Sequence, residues 1–174
     1  MSDEVRVGVS ACLLGEAVRH DGGHKREPIV ADVLARLVRL VPVCPEVEIG
    51  LGTPREPIRL EREGGGVRLV GIVSRRDLTR AMDDYSRRKL DELSLLGLSG
   101  YILKKSSPSC GADRVPVTDS RGSAVGYAAG RFAAALRDRW PLLPIEEEDR
   151  LADATTLRSF LERVLAYHRL RRSG

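Results

Sequence analysis

The apolar residues of this 174-residue chain follow two alternating rhythms, and that alternation limits the folds open to it. "VRVGVS" (5–10), "LVPVC" (40–44) and "GYILK" (100–104) are short apolar or β-branched runs that read as buried strands. Elsewhere apolar residues recur every three to four positions. "IVADVLARLVRL" (29–40) is predicted helical, with Pro28 at its start. A second helix is expected over roughly 75–96, opened by Ser74 and Asp77 as a capping-box variant. Its buried face would carry Leu78, Met82, Tyr85, Leu93 and Leu96. "GRFAAALRDRW" (130–140) reads as a third helix, stopped by Pro141. A fourth, near 150–170, aligns Leu151, Leu157, Leu161, Val164, Leu165 and His168 on one stripe. Gly64-Gly65-Gly66 marks a hairpin tip between "PIRLE" and "VRLVG". The pattern predicts an α/β fold: a single three-layer domain over 1–174, with a mostly parallel sheet flanked by helices and the last helix docked on it.

Composition narrows the setting. An apolar fraction of 42% is ordinary for a folded protein, and 31% charged residues is high. No apolar run approaches a bilayer's span, so no membrane partner is expected. The acidic start Met1-Ser2-Asp3-Glu4 lacks the basic region and cleavage site of a signal peptide, which predicts a cytoplasmic protein. The net charge of +4 only weakly favours an anionic ligand. The C-terminal segment carries Arg150, Arg158, Arg163, Arg169, Arg171 and Arg172, either as a solvated helix face or as a patch facing phosphate or RNA. The run Glu146-Glu147-Glu148-Asp149 is expected to complement the dipole of the last helix.

Three cysteines, an odd number, argue against a disulfide framework. Cys12 follows the strand at 5–10, Cys44 ends the strand at 40–44, and Cys110 follows the strand at 100–104 by a short loop. The carboxyl ends of parallel strands share one edge, where ligands bind in open α/β sheets. The three thiols are therefore expected to meet at one crevice. Each alone could be a small buried residue. Together, in the loops "SACLLG", "CPEVEIGLG" and "SPSCG", they read as a metal site, because small residues let backbone amides approach an inorganic group. Three thiolates suit zinc with an open fourth position, or a 4Fe–4S cluster with one open iron. No C-x-x-C spacing decides between them.

The same loops hold further candidates. Glu46, two residues after Cys44, could orient water or carry a proton; it could also be a capping carboxylate. Ser107 and Ser109 flank Pro108, and could bond a substrate or satisfy a turn. Lys104, Arg19 and Arg55 are either phosphate or carbonyl contacts or surface charges. His20 and His24, four apart in a glycine-bearing turn, give a low signal for a metal.

"SACLLGEAVRHDGGHK", "VPVCPEVEIGLGTPRE" and "GYILKKSSPSCG" resemble the thiouracil desulfidase (TudS-like) family, formerly domain of unknown function family 523, as do "PLLPIEEEDRL" and "LRSFLERVLAYHRL". The resemblance implies an α/β fold holding an oxygen-sensitive 4Fe–4S cluster by Cys12, Cys44 and Cys110, with one open iron. It also implies a catalytic carboxylate at Glu46 and a catalytic serine at Ser107; Ser109, Lys104 and Arg19 stand beside them as candidate substrate-binding residues of the loops. Many relatives carry a further cysteine where this chain has Val18, and tyrosine is common where it has His20. The implied reaction is non-redox desulfuration of thiouracil or 4-thiouridine monophosphate to uracil or UMP plus hydrosulfide. Longer family members add a domain for transfer RNA, so thiolated tRNA is a further candidate partner. Rival readings are a zinc-dependent nucleobase hydrolase or deaminase on the same cysteines, a non-catalytic RNA-binding module, and a Cys110 nucleophile without a located base.

Overall fold

The computed structural model describes residues 3–174, so Met1 and Ser2 lie outside the described residues. In chain order the strands are β1 (Arg6–Ser10), β2 (Arg39–Val43), β3 (Ile58–Glu63), β4 (Gly66–Gly71), β5 (Gly100–Leu103), β6 (Val115–Thr118), β7 (Ala124–Ala128) and β8 (Ile145–Glu147). The α-helices are α1 (Pro45–Glu48), α2 (Thr79–Leu96), α3 (Arg131–Arg139) and α4 (Ala154–Ser173).

The α/β architecture is present. One four-stranded sheet has the order β2-β1-β5-β8, and every pairing in it is parallel. Its central strands are buried on both faces, which is why "VGVS" and "GYIL" read as unbroken small and apolar runs. Pro42 is tolerated because β2 lies at the edge. A second sheet, β4-β3-β6-β7, joins it. It pairs two antiparallel hairpins through a parallel β3–β6 contact. The first hairpin turns at Gly64 and Gly65, both at positive φ, as the glycine run predicts. Strands β6, β7 and β8 escape sequence reading because they are short and, in β7, largely exposed.

Two apolar clusters cover the parallel sheet. One gathers Val43, Tyr101, Leu103, Met82, Tyr85 and Phe132 beneath α2 and α3 and extends into the second sheet. The other joins Val7, Val9, Ile102, Leu34, Phe160 and Val164, and brings α4 onto the body. Helix α4 packs Leu157, Leu161 and Val164 on this cluster, as its spacing predicts, with Phe160 buried beside them, whereas Leu165 is exposed. Asp153 caps it by accepting from the Thr156 N–H at 2.8 Å.

Three expectations change locally. Residues 29–36 form a π-type turn and a 3₁₀ turn instead of a regular helix, because the chain must enter β2 at Arg39. The spacing of buried Val30, Leu34 and Val38 is still helical. Ser74 and Asp77 do not form a capping pair on α2: Ser74 donates to Glu56, while Asp77 accepts from the Thr79 N–H at 2.9 Å. The acidic run does not serve the dipole of α4. Glu146 and Glu147 lie in β8, and Glu148 reaches the loop after β5. Among the described residues no helix is long and apolar enough to cross a membrane.

Candidate active site

Parallel pairing in register brings the carboxyl ends of β1, β2 and β5 to one edge. Cys12 sits in a 3₁₀ turn (Ala11–Leu14) directly after β1, and Cys44 is the residue between β2 and α1. Cys110 follows β5 in the loop that packs on the start of α3. Cys12, Cys44 and Cys110 all line a cavity of about 410 Å³, together with Arg19, Glu46, Lys104 and Ser107. All three thiols are free.

The Cys110 loop is fixed from several directions. Ser107 Oγ accepts the backbone N–H groups of Ser109 (3.3 Å) and Cys110 (3.1 Å). The amides of Arg131 and Ala133 donate to the carbonyls of Pro108 and Ser109 at 3.0 and 3.1 Å. A Cβ on Gly130 would stand 2.5 Å from the Ser109 carbonyl, so only glycine allows that approach. The Ala112 N–H donates to Glu147 at 3.1 Å and the Lys105 N–H to Glu148 at 2.7 Å, which makes the acidic run a brace for this loop.

Glu46 is held at both oxygens. Arg55 donates to Oε2 from Nε (2.9 Å) and Nη2 (2.8 Å), and the Ser109 hydroxyl donates to Oε1 at 2.9 Å. The Arg55 and Glu46 side chains are only 5% and 13% exposed, so this ion pair is shielded from solvent screening. Ser109 is fully buried behind Glu46 and is not among the residues lining the cavity. Lys104 lines the wall, but its ammonium donates to Glu148 Oε1 at 2.5 Å and to the Lys105 carbonyl at 3.0 Å. Arg19 stands at the wall with a long 3.4 Å pair to half-exposed Asp21. The Arg55 N–H donates to the His20 carbonyl at 2.8 Å, which ties the first cysteine loop to the segment that follows Cys44. His20 lines the cavity, whereas His24 does not.

Sequence reasoning missed two contributors, Ser10 and Glu148, and the role of a third. Arg55, a candidate phosphate or carbonyl contact or surface charge in the sequence, is the partner of Glu46. Ser10 Oγ accepts the Lys104 N–H at 2.9 Å, and its hydroxyl partly offsets the upward push of burial on the Cys110 thiol. Glu148 holds Lys104; its signal was the complementarity of "KK" and "EEED".

Burial sets the charge state of the thiols. It pushes Cys12 up to about 11, against relief from Lys104, and pushes Cys44 and Cys110 up as well. Three neutral, converging thiols become thiolates only against a positively charged group. In the metal-free protein, the folded Cys12 keeps its proton up to about 11, whereas the unfolded chain releases it from 9.0. Above that lower value the unfolded state binds fewer protons, so stability falls as pH rises through this window. Thermal melts of metal-free protein are expected to drop steadily between those two pH values. A flat profile contradicts the burial of these thiols.

The profile of the 2-thiouracil desulfurase family matches residues 7–148. The chain belongs to that family. The match spans all three cysteine loops, Glu46 and the acidic brace, and α4 lies beyond it. The solved structure of a 4Fe–4S-dependent thiouracil desulfidase, TudS, is similar to this chain with a TM-score of 0.72 and 32% identity. It covers 90% of this chain and 99% of that one. The uncharacterized protein YbbK of Bacillus subtilis (strain 168) is 31% identical over 112 residues, which is 60% of this chain and 72% of YbbK. Family membership makes this chain a desulfurase-type enzyme, and the TudS likeness covers the α/β fold described above.

Proposed function

We propose that this protein desulfurates a thiolated pyrimidine, thiouracil or 4-thiouridine monophosphate, giving uracil or UMP and hydrosulfide, at a 4Fe–4S cluster held by Cys12, Cys44 and Cys110. The observation that carries this reading is the convergence of three thiols from three strand ends on one cavity beside a fixed carboxylate. The cluster dependence of TudS supports a cluster over one zinc ion. Held by Cys12, Cys44 and Cys110, such a cluster would supply Lewis acidity toward the thiocarbonyl sulfur and so make the ring carbon more electrophilic.

The residues of this chain supply the rest. Glu46 orients a water toward that carbon and takes one of its protons. Arg55 and Ser109 fix the carboxylate so that its remaining acceptor sites face the cavity, and Arg55 keeps a counter-charge beside it. Ser107, whose oxygen already accepts two backbone N–H groups, keeps its own hydroxyl proton to donate to the pyrimidine. Arg19, only loosely paired, is placed to meet an anionic substituent, while Lys104 holds positive charge beside Cys12. Water contributes the carbonyl oxygen, the proton taken by Glu46 passes to the sulfur, which departs as hydrosulfide, and the second proton passes to solvent; no electron is gained or lost.

A cavity of about 410 Å³ suits a base or mononucleotide. Four of the six C-terminal arginines have partners within the chain. Arg150 and Arg163 pair with Glu146, Arg171 donates to the carbonyls of Gly97 and Leu98, and Arg172 pairs with Asp3. The test is anaerobic purification and reconstitution, followed by the visible spectrum, iron and sulfide counts and a thiouracil turnover assay. A brown protein with about four irons and four sulfides per chain that releases hydrosulfide is the expected result. A colourless, zinc-loaded protein without turnover overturns it.

A further inference from the structure

The loop after β5 begins with two lysines whose ammonium groups find different settings. Lys105 pairs at the surface with Asp149 at 2.7 Å, and both side chains are half-exposed. Lys104 lines the cavity, and its side chain is only 23% exposed. Its N–H donates to Ser10 Oγ at 2.9 Å, two residues before Cys12. Its ammonium donates to Glu148 Oε1 at 2.5 Å and to the Lys105 carbonyl at 3.0 Å, so two of its three N–H groups are held by fixed acceptors.

Glu148 is equally constrained. Strand β8 pairs with β5 through Leu103 and Glu147, and the Glu148 N–H donates to the Leu103 carbonyl at 3.3 Å, so the sheet sets where its side chain starts. The side chain is 10% exposed. Its Oε1 holds the Lys104 ammonium, and its Oε2 accepts the Lys105 N–H at 2.7 Å. Bracing the loop needs only the second of these bonds. The first makes a largely buried ion pair, which is a weak source of stability because desolvation offsets the attraction. What such a pair does at a cavity wall is hold one charge in one place. Among the charged groups near Cys12, Lys104 is the one that most favours its thiolate. Arg19 differs: its guanidinium has only a 3.4 Å pair with half-exposed Asp21, which leaves it able to meet a ligand.

We propose that Glu148 is a positioning residue for the metal centre: it locks the Lys104 ammonium at the cavity wall as a fixed counter-charge for the bound cluster, and so withdraws Lys104 from substrate recognition. This inference rests on the cluster reading above. Loading turns three neutral thiols into three thiolates in one cavity, and a cation already fixed there offsets part of that charge without reorganising. The same cation favours the more negative, reduced state, so it raises the reduction potential although the reaction moves no electrons. Anionic groups of the substrate are left to Arg19.

The test uses reconstituted protein, read by iron and sulfide counts, reduction potential and the rate of cluster loss to a chelator. Lys104→Gln removes the charge and keeps an amide that can donate to Glu148. It should take up a cluster whose potential is shifted downward and which is lost about tenfold faster. Any loss of thiouracil turnover should appear in kcat and leave KM alone, whereas Arg19→Gln should raise KM and keep the potential. Lys104→Arg, which keeps the charge, should return potential and lifetime toward wild type. Glu148→Asp keeps both charges but draws the carboxylate back by one methylene. It should move potential and lifetime in the same direction as Lys104→Gln, and add nothing further in the Lys104→Gln background. It also carries the test if Lys104→Gln does not fold. Wild-type potential and lifetime in loaded Lys104→Gln overturn the counter-charge, and a raised KM beside them returns Lys104 to the substrate. A Glu148→Asp effect that persists in full on Lys104→Gln overturns the positioning role, because Glu148 then acts only through the Lys105 N–H. These outcomes leave the cluster reading standing. A wild-type protein that takes up no cluster overturns both.

Discussion

Replacing any one of Cys12, Cys44 or Cys110 by alanine is expected to abolish cluster binding and desulfuration together. The three thiols come from three separate loops and line one cavity, and all three are free. No fourth cysteine exists in the chain to substitute for a lost one. Iron per chain after anaerobic reconstitution should fall from about four to near zero in each variant, with the brown absorbance lost. The metal-free variants should remain folded, because alanine fills a small buried site acceptably and removes a thiol that resists ionisation. A variant that keeps a full cluster and full turnover removes that cysteine from the ligand set.

The second large effect belongs to Glu46. Glu46→Gln keeps the size of the side chain and its hydrogen bond from Ser109, but removes the negative charge that faces Arg55. Turnover is expected to fall by about 10²–10⁴-fold, the usual contribution of a positioned proton acceptor. Iron and sulfide counts should match wild type, because Glu46 is not among the proposed ligands. Some stability should also be lost, since Arg55, 5% exposed, is left without its counter-charge. Normal turnover in a fully loaded Glu46→Gln protein moves the water-activating role elsewhere. Together the two experiments separate the residues that hold the cluster from those that use it.

Legibility followed the range of the interactions. The hairpin at Gly64 and Gly65 was readable because positive φ is a local demand on the backbone. Helix α3 was readable because its apolar spacing and Pro141 are both local. The segment at 29–36 has the same helical spacing but not a regular helix, since its geometry answers to the entry into β2. The sequence assigns the acidic run at 146–149 to the nearest helix, whereas Glu147 and Glu148 find partners more than thirty residues away, at Ala112 and Lys104. Ser109 and Glu46 are sixty-three residues apart, and no local signal couples them.

The sequence by itself determined that three cysteines would follow three strands, and parallel pairing then required them to share an edge. That step needs only strand direction, which is encoded in short apolar runs and the segments between them. The tertiary structure decided what the thiols face. It placed Arg55 and Ser109 on Glu46, set the acidic run against the Cys110 loop, and laid the Tyr101 ring across Gly8. These are contacts between side chains far apart in sequence. Their energy depends on burial and on which groups already hold a partner, and both exist only once the chain has packed.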